Sequence, residues 1–364
     1  MWLFLSGKKL AGHRRNPAAG FSVSRQTSER NKFWRKIMMK MNKVLLSLAA
    51  VGMVGALAAC GNSASASSAN KTVKVGILQL IDQQALNAAN KGFKEQLAKE
   101  GFKGSKVKFD NLNAQGDQGN LSSMSARLKS DKNTVNLAIA TPAAQALLKA
   151  DNQTPMVFTA VTDPKSAGLT GDPKKPDKNA TGVTDMVDVK GQIDFTHQLF
   201  PKAKTIGLLY NAAEENSVVQ IKIARQEIAK LGLKAVVKTA ATTNDVQQAA
   251  ETLAGQADAI YIPTDNTAAA AMPTIGKVSA AKKVPVVTAD ATMVKLAGVA
   301  TVGINYEDLG KQTAKLAVKI IKGKKVSSLA VQAPAKATLV TNSKRMAQFG
   351  VTKAQAEKAA KAVE

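Results

Sequence analysis

The sequence predicts an α/β chain built as two Rossmann-like, doubly wound lobes. Three observations point there. From Lys71 onward, short β-branched runs alternate with segments of helical period, the pattern of strands joined by crossover helices. The alternation starts afresh near Thr205, giving two runs of similar size. A further strand over 299–305 and an amphipathic helix over 306–322 follow the second run, so the chain passes between the lobes more than once through a multi-stranded hinge. No internal repeat is strong enough to make one lobe a copy of the other, and 364 residues suffice for two domains of ordinary size.

The first strand is Val73-Lys-Val-Gly-Ile-Leu-Gln79. Ala85, Ala89, Phe93 and Leu97 then share one helix face, which Gly101 ends. A strand over 106–111 and a helix over 119–130 follow. The third strand, 136–140, runs directly into Thr141 and Pro142 and a helix over 143–150. Thr141 suits the N-cap and Pro142 the first helical position, where a missing N–H costs nothing. The N–H groups of Ala143, Ala144 and Gln145 would then face outward at a strand's carboxyl end, an anion site flanked by small side chains. Alone, this is an ordinary β–α turn. Its weight comes from recurrence: the strand ends at Gln79, Thr162-Asp163, Asn211, Thr264-Asp265-Asn266 and Asp290 also carry small polar or acidic residues. A fourth strand spans 155–160, a polar loop 171–178, and a strand over 180–184 leads away.

In the second run, strands fall at 205–210, 235–239, 259–263 and 285–288, with helices at 217–231, 246–255 and 268–282 between them. Val218, Ile221, Ala224, Ile228 and Leu231 mark the apolar face of the first of these helices. In the closing helix, Leu309, Thr313, Leu316, Ala317 and Ile320 lie on one side.

Charge is lopsided. Residues 1–59 hold eleven Lys or Arg against one acid, Glu29, and so carry +10 of the +25. The rest is spread as single lysines on helix faces, without Arg-plus-aromatic clusters, and aromatics make up only 4%. That excludes nucleic acid as the expected partner. The single cysteine, Cys60, rules out an internal disulfide. It follows Lys40 and Lys43, an apolar stretch from Val44, and Leu57-Ala-Ala-Cys60: a basic region, an apolar core and small residues at a cleavage point. The apolar stretch is too short for a stable spanning helix. Leu57-Ala-Ala-Cys60 resembles the bacterial lipobox, in which the cysteine is lipidated and becomes the first mature residue. The alternative is a plain secretory signal with an incidental cysteine. Ser63-Ala-Ser-Ala-Ser-Ser-Ala-Asn70 suits a flexible tether. Residues 1–37 read as an extension upstream of a natural start at Met38, Met39 or Met41.

Several stretches together resemble one family. They are Val75-Gly-Ile-Leu-Gln79, Asn113-Ala-Gln-Gly-Asp117, Ala138-Ile-Ala-Thr-Pro-Ala-Ala-Gln145, Phe158-Thr-Ala-Val-Thr-Asp-Pro164, Ala180-Thr-Gly-Val-Thr-Asp185, Gly207-Leu-Leu-Tyr-Asn211 with Glu215-Asn-Ser-Val218, and Asp258-Ala-Ile-Tyr-Ile-Pro-Thr-Asp-Asn266. The chain is similar, over roughly 72–340, to the substrate-binding lipoproteins of ATP-binding-cassette importers for tryptophan and tyrosine. It departs at Ile81-Asp-Gln-Gln-Ala-Leu86, where many relatives carry a His-Pro-Ala-type segment; because this loop lies at the cleft, the ligand stays open. The resemblance implies a type I periplasmic-binding-protein fold with its ligand between the lobes. The expected layout is extension and signal at 1–59, tether at 60–71, lobe 1 at 72–186 plus 304–328, and lobe 2 at 187–303 plus 329–364.

A free amino acid needs donors for its carboxylate, acceptors for its ammonium and an apolar slot for its side chain. The Thr141 hydroxyl and the amides of Ala143 and Ala144, beside Pro142, can supply the first. Asp265 and Asp290 can supply the second, though Asp290 could equally cap a helix before Ala291. Gln79, Thr162 and Asn266 stand at cleft-facing strand ends. Asn211, Asn216 and Ser217 could reach across, but Asn216 or Ser217 could equally cap the next helix. Asp163, before Pro164, reads as a cap. Enzyme readings fare worse: His197 is the one histidine after the signal, and there is no G-x-S-x-G, P-loop or G-x-G-x-x-G after a strand. No short oxygen-rich loop supports Asp163, Asp265 and Asp290 as a metal site. The expectation is an extracytoplasmic, lipid-anchored, non-enzymatic receptor without cofactor or metal. It delivers an aromatic amino acid, tryptophan first, to a permease and its ATPase. Tyrosine, phenylalanine or another small ligand, or a signalling sensor of the same fold, are the alternatives.

Overall fold

The computed structural model describes residues 72–363 other than Lys336; the basic extension, the signal, Cys60 and the tether lie outside the described residues. The first lobe is a five-stranded parallel sheet in the order β2-β1-β3-β4-β5. Its strands are β1 (Val73–Gln79), β2 (Val107–Asn113), β3 (Val135–Ile139), β4 (Met156–Val161) and β5 (Ala180–Thr184). Every residue of β3 and β4 is buried, Asn136 and Thr159 included, as in strands covered on both faces. The strand order reverses between β1 and β3, the point where doubly wound sheets bind ligands.

Helix α1 (Gln84–Lys99) buries Ala85, Ala89, Phe93 and Leu97, and Gly101 beyond it takes φ +94°. Helices α2 (Gln118–Ser130) and α3 (Thr141–Ala150) pack together beside β1 and β3.

The second lobe holds β6 (Thr205–Tyr210), β7 (Lys234–Thr239), β8 (Ala259–Ile262) and β9 (Val286–Thr288), all parallel in the order β7-β6-β8-β9. Its helices are α4 (Val189–Leu199), α5 (Glu215–Lys230), α6 (Val246–Ala254), α7 (Asn266–Ala270), α8 (Met272–Lys282) and α9 (Ala291–Leu296). The single helix read over 268–282 is in fact the pair α7 and α8. Pro273 sits in the first turn of α8 and has no N–H to continue the α7 ladder. Beyond β9, the Val299 N–H donates to the Val286 carbonyl at 2.8 Å. Here β10 (Ala300–Gly303) pairs antiparallel with β11 (Thr338–Thr341).

Three passages join the lobes. The chain leaves after β5, returns after β10 into α10 (Tyr306–Ile321), and leaves again before β11. Though it follows the second lobe's strands, α10 packs into the first lobe's core against α1. A Cβ on Gly92 would strike the Glu307 carbonyl, and one on Gly310 the Ala89 carbonyl, so these helices touch backbone to backbone. Leu329 and Gln332, read from sequence as the start of the second lobe's tail, stay with the first. Leu329 is buried in its core, and Gln332 exchanges backbone hydrogen bonds of 2.9 Å with Gly182 and Thr184. The closing helices α11 (Ser343–Gln348) and α12 (Lys353–Lys361) complete the second lobe, Ala356 and Ala360 packing near Phe195 and Leu199.

Candidate functional site

The carboxyl ends of the strands of both lobes converge on a narrow, nearly closed pocket with about 10 Å³ of open space. From the first lobe Gln83, Leu86, Ala160 and Asp185 line it, and from the second Asn216, Thr264, Asp265, Asn266 and Asp290; Tyr306, the first residue of α10, joins them. The lobes meet around it. Thr162 and Thr264 face each other hydroxyl to hydroxyl at 3.3 Å, and Gln83 Nε2 donates to Asn266 Oδ1 at 3.5 Å. Two alanines hold the first lobe's rim in the left-handed φ range: Ala140 at +84° and Ala160 at +54°. Such backbone costs about 1–3 kcal/mol per residue and persists only where surrounding packing imposes it.

Three carboxylates face this space, and among the described residues that line it none is Lys, Arg or His. Asp185 directly follows β5 and accepts from Thr162 Oγ1 at 3.0 Å and from the Tyr306 hydroxyl at 2.9 Å. Burial pushes its carboxyl up to about 6 despite those two donors. Asp290 accepts from the Thr292 N–H at 2.6 Å and the Thr292 hydroxyl at 3.0 Å, and burial together with the nearby Asp185 pushes it to about 6. Asp265 accepts from the N–H groups of Asn211 and Ala268 and from the Ser217 hydroxyl, each at 2.7 Å; burial first, then Glu214, raises it. Tyr306 is held well above the ordinary phenol range by burial and then by Asp185 and Asp290. A cavity so lined suits a ligand that carries positive charge.

The residues singled out from sequence divide into groups. Asp265, Asn266, Asp290 and Asn216 line the cavity, and Asp290 is at once its wall and the N-cap of α9. Thr162 bridges the lobes beside it. Gln79, Asn211 and Ser217 do not line it. Gln79 is used up ordering the β1–α1 loop through the Ile81 carbonyl, Asn87 and Asn90. The Asn211 side chain, expected to reach across, donates to the Ala241 carbonyl and Thr267 within its own lobe. Ser217 holds Asp265. Neither Asn216 nor Ser217 is the N-cap of α5, whose cap position belongs to Glu214.

The β3–α3 turn differs from the sequence reading. The turn is so tight that Ala140, not Thr141, takes the cap position, with no side-chain hydrogen bond; Thr141 and Pro142 are the first two helical residues. The Ala144 N–H, expected to be free, donates to the Ala140 carbonyl at 3.1 Å. The N–H groups of Thr141 and Ala143 have no acceptor among the described residues, and the buried Thr141 hydroxyl is unpaired. This end of α3 faces α5 across the cleft, and Pro142 shares a groove with Ala213 of the second lobe. Two free amides and a free hydroxyl at a helix N-terminus make an anion cradle.

Sequence reading missed four polar residues here: Gln83, Glu214, Asp185 and Tyr306. Buried Glu214 gathers five donor contacts from Asn216, Asn266 and Thr267 and so fixes the second lobe's wall. Asp185 stood in a recognised strand-end motif and could have been added on the same logic as Asp290. Asp163 accepts from the N–H groups of Lys165 and Ser166 and does not line the cavity. Among the described residues no group of three His, Cys, Asp or Glu side chains is arranged to hold a metal.

The family model for ABC transporter substrate binding proteins matches residues 74–363. The Tyrosine-binding protein of Clostridioides difficile (strain R20291) is 33% identical over 330 residues, 88% of this chain and 96% of that one. The ABC domain from Streptococcus pneumoniae solved in complex with L-Trp is 35% identical, with a TM-score of 0.75 over 77% of this chain and 95% of that one. The ligand-free, open structure of a substrate binding protein with adhesive properties from Clostridium difficile is 38% identical. It superposes with a TM-score of only 0.60, over 78% and 96% of the two chains. The contact between Thr162 and Thr264 closes the lobes of this chain on one another at that point. With its two-lobed type I periplasmic-binding fold, the chain belongs to the family of ABC transporter substrate binding proteins, which bind ligands and are not enzymes.

Proposed function

We propose that this protein captures a free aromatic amino acid between its lobes outside the cytoplasm and delivers it to an importer's permease and ATPase. L-tryptophan is the first candidate and L-tyrosine the second. The observation that carries the reading is the acid-lined cavity: Asp185, Asp265 and Asp290 face it without a lining cation, which calls for a ligand ammonium. The free amides of Thr141 and Ala143 and the Thr141 hydroxyl suit the ligand carboxylate. The relative solved with L-Trp and the relative named for tyrosine support an aromatic side chain, and the latter favours tyrosine as the second reading.

In this reading the ligand ammonium offsets the cost of burying carboxylates, so ligand shifts the lobes further toward the closed state, and the permease recognises that state. Attachment to the membrane runs through lipid on Cys60. Among the described residues no helix is long and apolar enough to cross a membrane. Native mass spectrometry of the purified protein tests the ligand class. A retained mass equal to tryptophan or tyrosine supports it; a retained sugar or other uncharged ligand contradicts it.

A further inference from the structure

Asp185 directly follows β5, where the chain first leaves the first lobe, and Tyr306 opens α10, where it returns; they stand 121 positions apart in sequence. The Tyr306 hydroxyl donates to Asp185 Oδ2 at 2.9 Å, and Thr162 donates to Oδ1 at 3.0 Å, both in buried surroundings. One hydrogen bond therefore ties two of the three inter-lobe passages together at the cavity wall. The other titratable groups facing this point are Asp290 at the start of α9, Asp265 at the start of α7, and Glu214 behind it ahead of α5. From α1 only Gln83 and Leu86 reach the cavity, and they carry no charge.

We infer that Tyr306 is a positioning residue for ligand capture: through Asp185 it keeps one carboxylate of the cleft ready for the ligand's ammonium, and the ammonium and a proton compete for that carboxylate. The inference rests on the reading of the ligand as a free amino acid. Its physical basis is a contest at Asp185. Burial favours the protonated acid, and donors that hydrogen-bond its oxygens favour the carboxylate, with Tyr306 first among them and Thr162 next. Removing the Tyr306 hydroxyl leaves burial opposed by Thr162 and the backbone alone. The carboxyl then keeps its proton to higher pH, and an incoming ammonium must displace it.

The test compares wild type, Tyr306→Phe and Asp185→Asn, with L-tryptophan as the probe in calorimetry from about pH 5 to 8.5. For wild type the affinity is level above about pH 7 and falls below about pH 6, approaching roughly tenfold per pH unit. For Tyr306→Phe the fall begins roughly one pH unit higher, so the variant binds several-fold more weakly near pH 6.5 yet recovers near pH 8.5. Asp185→Asn binds weakly, and in its background Tyr306→Phe no longer moves the profile, although Asp290 keeps a pH dependence of its own. A Tyr306→Phe profile parallel to wild type overturns the inference. A ligand-free arm follows the Asp185 carboxyl carbon by NMR titration. A higher midpoint in Tyr306→Phe than in wild type supports the inference, and equal midpoints overturn it. If L-tryptophan binds none of the proteins at any pH, the proposed function fails for that ligand while the NMR arm still decides the role of Tyr306.

Discussion

Thr162 of the first lobe and Thr264 of the second meet hydroxyl to hydroxyl at 3.3 Å, 102 residues apart in sequence. The contact belongs to a longer chain of donors. Gln220 Nε2 donates to Thr264 at 2.6 Å, and the Thr162 hydroxyl donates a hydrogen bond to Asp185 Oδ1 at 3.0 Å. Since Thr162 spends its hydrogen on Asp185, Thr264 is the donor across the cleft.

Thr264→Val should therefore weaken ligand binding by about twofold to tenfold, the worth of one neutral hydrogen bond made only when the lobes are closed. The bond from Gln220 is lost in open and closed states alike, so its cost shows in thermal stability and cancels from affinity. Thr264→Ser should restore binding. Calorimetry beside thermal unfolding separates the two effects, and unchanged affinity in Thr264→Val would remove the contact from the closure account.

Because Ala140 and not Thr141 holds the cap position of α3, Thr141→Val removes no helix cap and keeps the side chain's shape. Its unfolding free energy should not fall below wild type, because the buried hydroxyl it removes has no partner to lose. Affinity for a ligand bearing a carboxylate should fall roughly tenfold or more, the cost of a charge-assisted hydrogen bond. The affinity for tryptamine, which lacks the carboxylate, should not change. An equal loss for tryptophan and tryptamine would detach Thr141 from the carboxylate.

The buried carboxyls give a signed pH dependence. Asp185 and Asp290 sit at about 6 in the closed fold against an ordinary 3.8. Their protonation stabilises the closed fold fully below about pH 4, and that stabilisation is lost as pH rises through about 6. The ligand-free protein should thus lose thermal stability as pH rises from about 4 to about 6, by at most about 3 kcal/mol per carboxyl. Saturating L-tryptophan should flatten the slope, and Asp290→Asn should reduce it. Stability that rises over the same interval would contradict the assignment.

Much of the fold is local and therefore legible in sequence. Fully buried runs such as 135–139 and helix faces such as Ala85, Ala89, Phe93 and Leu97 announce themselves by period. The break at Pro273 was readable in principle, since proline cannot continue a helix ladder. The φ of Ala140 was not, because nothing in Ala-Thr-Pro reveals how tightly β3 turns into α3. The short β11 and the two helices after it carry too little pattern to stand out, and they are held by packing on Phe195 and Leu199. The cavity wall was the least legible part. Asp185 and Tyr306 meet only because the chain crosses between lobes and returns, and no local signal links residues so far apart.

On the proposal that Cys60 carries a diacylglycerol-type anchor, whose two chains would hold durably, Cys60→Ser should release the protein from membranes into the soluble fraction. Fractionation of cells expressing each form checks this, and full membrane retention of the variant would sink the lipid anchor.

Calorimetry with L-tryptophan against N-acetyl-L-tryptophan near pH 7.5 reads out whether the acid-lined cleft takes a ligand ammonium. Acetylation removes the positive charge and leaves the aromatic side chain and the carboxylate. Leaving a buried carboxylate unpaired costs about 3–5 kcal/mol, so the acetylated ligand should bind at least a hundredfold more weakly than L-tryptophan. Equal affinity for the two would show that no ammonium site operates between Asp185, Asp265 and Asp290.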